Sequence, residues 1–428
     1  VADLNAGYLK LVRELSDRIV EAQRPIRILD AIKWDDQIRD GFFDSGCRAL
    51  PAIDADYYRR QNPLEFNPQA TREVLHQIER DIVRTLGQLN PLSTIMRRIC
   101  REYQAVTRML EARGTVNFNI ISEELYGSAS DVFHAGDPTL ASLGTQMEAT
   151  LTNLLKNESM VEAEKEISAD AAVSMLNQRF QFTFPTAGIR VLLNDRMTAD
   201  AAAGSDYLKI RSNARFNALD IDVLEVHEGW VHLGTTLNGA AQPWCTFLGK
   251  GPPSSTTTQE GLAVLTEILT LRSSPSRLYR LINRVRAVTL AEEGADFIEV
   301  FDYLRERETS AEESYAIAVR VFRGSTPGGR PFTKDLAYIR GFVQTYNFLR
   351  LAIGEGKLDN LPILFCGKIT LEDIKIYRLL IDEGIVLAPT FIPPHFADMK
   401  GLATWMSFSR FIAGLNFDQL EADYGGLL

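Results

Sequence analysis

Leu224-Glu-Val-His-Glu-Gly-Trp-Val-His232 holds two of the chain's five histidines, with a glutamate directly after the first: His227-Glu228-x-x-x-His232. Neutral imidazole is a common zinc ligand, and a carboxylate next to the first ligand can sit over a metal-bound water. The more familiar HExxH spacing sets both rings one turn apart on one helix face. Here the separation is five residues. At about 100° per residue an ideal α-helix would turn the rings roughly 140° apart. A single π-type turn absorbs the extra residue, and such turns cluster at functional sites. Gly229 inside the motif tolerates the distorted backbone this requires. The stretch therefore predicts a locally π-helical segment with His227 and His232 as metal ligands and Glu228 as general base. The plain alternative is a helix in which two histidines merely pack.

Catalytic zinc commonly keeps three protein ligands and one open position. The string SSTTTQEGLAVLTEIL (254–269) supplies a third in Glu260, expected in the first turn of a helix behind Thr257 or Thr258 as N-cap. A glutamate there also complements the helix dipole without any metal. Glu267 lies seven residues on, on nearly the same face. It is a candidate acceptor for the second N–H of a ligand histidine, or an ordinary structural or solvated acid. Four residues after Glu260, where many related zinc sites carry that acid, stands Val264.

Away from this centre the sequence reads as α+β and mostly α, a gluzincin-like metallopeptidase core with a small antiparallel sheet. Helical periodicity marks residues 1–24, 67–86 (with Asn67 as N-cap), 92–113, 137–156 and 158–180, and SEELYGSASDVF (122–133) reads as a loop. Near residue 181 the texture changes. QFTFP, IRVLLN and YLKIRSNARF alternate apolar and polar residues, the last two separated by the turn-like DRMTADAAAGSD, which suggests a few short strands. From Asp220 helical periodicity then continues, with loops at 234–257 and 324–333, to the end. The expected division is a helical N-terminal region over 1–165 and a metallopeptidase region over 166–428.

Composition sets limits on function. The 428 residues are 45% hydrophobic, enough for a sizeable core, and the net charge of −10 argues against non-specific binding to nucleic acid or an anionic membrane. Cys47, Cys100, Cys245 and Cys366 are scattered and form no CxxC pair, so neither a disulfide framework nor a thiolate metal site is expected. No run approaches the roughly 18 apolar residues of a membrane span. These features suit a cytoplasmic location.

LEVHEGWVHLGTTLNG followed by TTTQEGLAVLTE resembles the flavohaemoglobin-expression-modulating QEGLA-motif proteins, a family related to the animal microtubule-associated tyrosine carboxypeptidases. QEGLA itself, Gln259 to Ala263, is intact, and GGRPFTKDLAYIRG (328–341) also looks like a family segment. The resemblance runs from about residue 30 to the end and is most specific over 205–350. It implies zinc carboxypeptidase chemistry with His227, His232 and Glu260 as ligands and Glu228 as base. The implied substrate is the C-terminus of a peptide or protein, ending in Tyr or another aromatic residue. Tubulin as the substrate is not implied.

A carboxypeptidase needs a cation for the free α-carboxylate. If 207–216 is an edge strand lining the cleft, Lys209 and Arg211 share one face. Lys209 and Arg215 are the favoured anchors, with Arg211 in reserve, and a solvated basic face is the alternative. Tyr338, in the family-like segment, is the candidate oxyanion donor, with Lys334, Asp335 and Arg340 nearby. His76, His134 and His395 read as structural. The rival class is a catalytically silent, zinc-binding regulatory or interaction protein. Glu228 counts against it, because a structural site needs no base.

Overall fold

The computed structural model describes residues 2–195, 197, 199–307 and 310–412, and most of them are helical. The N-terminal helices start where their caps predict. Asn67 accepts from the Ala70 amide ahead of Pro68–Leu86, and Asn90 accepts from Leu92 and Ser93 ahead of Pro91–Glu111. Both have proline in the first turn, where a missing N–H costs nothing. One expected loop is a helix instead: SEELY closes Val116–Tyr126, which ends at Gly127 with φ 80°. Its inward face is partly polar, which hides the period. Asn119 donates to Ser325 Oγ and to the Arg330 and Pro331 carbonyls, and Ser122 Oγ pairs with Thr333.

Among the described residues there are five strands, β1 (Ile167–Ser168), β2 (Arg190–Asn194), β3 (Ala201–Ala203), β4 (Tyr207–Arg211) and β5 (Arg215–Phe216). β1 and β5 form an antiparallel pair. The other three make a sheet in the order β2-β4-β3. It is mixed, since β2 runs parallel to β4 while β3 is antiparallel to it. Leu208 and Ile210 are fully buried and Lys209 and Arg211 face the other way, as the alternation predicts. β4 is the central strand, however. The edges are β2 and β3, and β3 is formed by three alanines inside the segment expected to turn.

QFTFP is not a strand. Gln181 to Thr183 finish the helix Ala169–Thr183, which Ser168 caps. Phe180 and Phe184 are four residues apart and buried, while Phe182 is 90% exposed, so a helical face imitates strand alternation.

The largest apolar cluster draws on both sides of residue 165, joining Val12, Ile78 and Met96 to Val231, Leu262 and Phe365. A second contains Phe42, Val264, Phe297, Phe322 and Leu336. The most extensive helix pairing is between Pro253–Leu269 and Ala337–Gly354. They cross at Gly261 and Gly341, where a Cβ on Gly261 would overlap the Gly341 backbone and one on Gly341 would overlap the Thr257 carbonyl. Among the described residues no helix is long and apolar enough to cross a membrane.

Candidate metal centre

A helix opens at Asn217, whose side chain and that of Asp220 close a reciprocal capping box, and it continues as Ala218–Leu224. From Glu225 to Leu233 the backbone is π-helical, and α-helix resumes over Gly234–Ala240. Hydrogen bonding across five residues brings His227 and His232 to one side, their ring centroids 4.8 Å apart and their planes perpendicular. Gly229 has a packing reason as well as a conformational one, because a Cβ there would overlap the ring of Phe180.

Glu260 approaches from the second ligand helix, which starts earlier than expected. Pro252 occupies its N-cap position and Pro253 its first turn, so Glu260 sits about two turns inside. An interaction with the helix N-terminus fades within the first turn and does not explain it. His227 Nε2 lies 3.4 Å and His232 Nε2 3.5 Å from Glu260 Oε2, and the three donor atoms fall within 4.8 Å of one another. Oε2 is buried and has no hydrogen-bond partner, while Oε1 faces Lys334 Nζ at 3.5 Å. Bonds of about 2.0–2.1 Å to a tetrahedral zinc separate neighbouring donors by about 3.3–3.4 Å. The donor set suits such an ion, and the two histidine–glutamate separations match its spacing.

Further contacts orient these groups. His227 Nδ1 and Glu267 Oε1 are 2.6 Å apart, and Arg277 grips both oxygens of Glu267 at 2.8 and 3.0 Å. Glu267 is fully buried. Burial pushes its carboxyl up, but Arg277 and His227 outweigh that and hold it near about 2. Burial opposes the charged form of His227 too, yet the adjacent carboxylates of Glu260 and Glu267 take the ring up to about 10. Glu260 is held well below the usual carboxylate range: burial acts upward, and Lys334 and the two histidines act downward more strongly. A divalent cation would satisfy the same excess of negative charge.

Lys368 ties the two helices of the candidate cluster together. Its Nζ donates to the His232 carbonyl at 3.0 Å, to Thr235 Oγ1 at 3.0 Å and to Gln259 Oε1 at 2.9 Å. Burial lowers its pKa to about 8 against the pull of Glu260 and Glu228. Gln259 thus carries a link to the histidine helix, directly through Thr235 as well.

Glu228 points toward the sheet edge, where its Oε2 accepts from the Ala203 amide of β3 at 3.0 Å. The ring of Tyr338 stacks near that of His227, centroids 6.3 Å apart, and the Arg284 guanidinium lies 5.3 Å from the Tyr338 centroid. The strand cations stand elsewhere. Lys209 lies over the Tyr207 ring, Arg211 is held by Asp200 at 2.5 Å, and Arg215 is exposed. Arg211 also lines a cavity of about 540 Å³ with Arg39, Asp40, Phe43, Asn213 and Glu312. Among the described residues no hydrogen bond or ion pair joins these three cations to the His227–His232–Glu260 cluster.

Sequence reasoning passed over Lys368 and the arginines around Tyr338. The one available signal was the seven-residue step from Arg277 to Arg284, which keeps both on one face of Pro275–Glu292.

A family model described as microtubule-associated tyrosine carboxypeptidase matches residues 40–414. Comparison with curated proteins returns no match.

Proposed function

The chain belongs to the microtubule-associated tyrosine carboxypeptidase family, and from that membership we propose that it is a zinc-dependent carboxypeptidase acting on the C-terminal residue, a Tyr or another aromatic, of a peptide or protein. His227, His232 and Glu260 are the ligands in this reading. The observation that carries it is Glu260 Oε2, buried without a hydrogen bond and facing two imidazole nitrogens. When bound, zinc supplies a Lewis acid for the scissile carbonyl and acidifies the attacking water.

The remaining steps belong to the protein. Glu228, steadied by the Ala203 amide, takes a proton from the water and delivers it to the leaving amine. The Tyr338 hydroxyl donates to the oxyanion that forms at the carbonyl. The β3 edge offers its backbone to an extended substrate next to Glu228. Glu267, anchored by Arg277, fixes the orientation and tautomer of His227.

The test follows release of the terminal residue from a peptide ending in Tyr, together with zinc content by plasma mass spectrometry. Glu228→Gln is expected to keep its zinc and lose about 10²- to 10⁴-fold in kcat. Undiminished hydrolysis by that variant would remove Glu228 from the mechanism. A zinc-loaded parent that hydrolyses no peptide would favour the silent, zinc-binding protein.

A further inference from the structure

We propose that Arg284, backed by Arg323, takes the α-carboxylate of the substrate beside Tyr338; this rests on the carboxypeptidase reading. Two helices bring four arginines to this region: Arg277 and Arg284 from Pro275–Glu292, and Arg320 and Arg323 from the end of Ala311–Phe322 and the residue after it. Two of them are satisfied. Arg277 holds Glu267, and Arg320 forms a two-pronged pair with Asp335 at 2.6 and 2.8 Å.

The other two are not. The Nε atoms of Arg284 and Arg323 are buried and have no hydrogen-bond partner, and among the described residues neither guanidinium makes a hydrogen bond or an ion pair. Each instead lies over an aromatic ring, Arg284 over Tyr338 and Arg323 over Phe332. Both are half-buried, so water or a ligand can reach what the protein leaves unpaired. Asp335 is the carboxylate that Arg284, Arg320 and Arg323 all draw on, and it is already engaged by Arg320. Burial and the neighbouring Arg320 push Arg323 down to about 10, as expected for cations crowded around too little negative charge. A half-buried guanidinium with no carboxylate of its own is left with unused donors, and an arriving carboxylate can take them.

The location suits a carboxylate one residue from the scissile bond. One residue of extended chain advances about 3.5 Å, so the anchor must lie within a side chain's length of the ligand cluster. Tyr338 bridges that gap, stacked 6.3 Å from ligand candidate His227 and 5.3 Å from Arg284. The planar fork of arginine matches a carboxylate in two-point geometry, which a lysine does not. On the sheet, by contrast, Arg211 already has Asp200.

The experiment measures binding to zinc-loaded Glu228→Gln protein by fluorescence anisotropy. The probes are two labelled octapeptides of one sequence ending in Tyr, one a free acid and one an amide. The acid is expected to bind about 10- to 100-fold tighter, the range for a charge-assisted pair. Adding Arg284→Met should bring that ratio close to one, and Arg284→Lys should keep part of it. Arg323→Met should lower it less than Arg284→Met, and Lys209→Met or Arg215→Met should leave it alone. Zinc content should hold throughout, and Tm should stay or rise on losing Arg284, whereas a merely structural arginine would lower it. If Arg284→Met fails to fold, Arg284→Gln takes its place. A ratio that survives the loss of Arg284 but falls with Lys209 or Arg215 would overturn the assignment and leave the carboxypeptidase reading standing. No acid preference before any arginine is changed would overturn both.

Discussion

Two centres flank Tyr338, and they are opposite in what they lack. On one side, the Nε2 atoms of two histidines converge on Glu260 Oε2, which has no hydrogen bond. On the other, Arg284, Arg320 and Arg323 draw on the single carboxylate of Asp335. The first is short of a cation and the second of an anion. Like groups gathered away from water persist at a stability cost unless a ligand completes them. Each centre therefore matches the charge of its proposed occupant, a metal ion for one and a substrate carboxylate for the other.

The contrast can be broken most forcefully at the first centre. His232→Ala should reduce bound zinc from about one per chain to almost none by plasma mass spectrometry; full zinc in that variant would mean the cluster is not the site. Asp335→Ala should be the converse, leaving zinc affinity unchanged while destabilising the chain by about 3–5 kcal/mol in urea titrations. If it released zinc, the two centres would be one. Glu267→Ala is expected to weaken zinc by about 10- to 100-fold in competition with a chelator, and an unchanged affinity would make Glu267 a structural acid. Gly261→Ala should cost about 1–3 kcal/mol by forcing two helix backbones apart, read as a lower Tm.

A further effect concerns pH. Glu267 titrates near about 2 in the fold and near about 4.3 when unfolded. Its depressed value adds stability that is present above the unfolded pKa and lost as pH falls through the folded one. Tm of the chelated protein should therefore drop from about pH 5 toward pH 2, and Glu267→Gln should flatten that limb. An unflattened limb would assign the loss to other acids, Asp335 among them.

What was legible in the sequence divides along the same line. His227, His232 and Glu228 lie within one helix, so spacing alone demanded the π-type turn that Glu225–Leu233 supplies. Glu260 and Glu267 were found by motif and by helical step, although the start of their helix was missed because Pro252-Pro253 reads as loop. The β3 edge strand was missed because three alanines carry no β signal. QFTFP was misread because Phe180 and Phe184 are equally spaced for helix and strand. The arginine centre depends on two helices meeting, and Arg320 and Arg323 have no local partner pattern to announce it. Gly261 and Gly341 were visible as letters, while the reason for them, a backbone crossing, exists only in three dimensions.

The π segment also acts as a phase shifter. One residue inserted into the turn rotates everything after it by about 100° relative to an unbroken α-helix. Gly234–Ala240 is set by that rotation, and with it Asn238, which donates to the Phe365 and Phe391 carbonyls and accepts from the Thr390 and Phe391 amides. Deleting one residue between Glu228 and His232 would produce the common HExxH string and still not an ordinary site. It would swing Asn238 off those four backbone groups and unseat the stretch around Phe391. The five-residue spacing is thus locked in from outside the candidate metal centre, by a segment more than a hundred residues downstream in sequence.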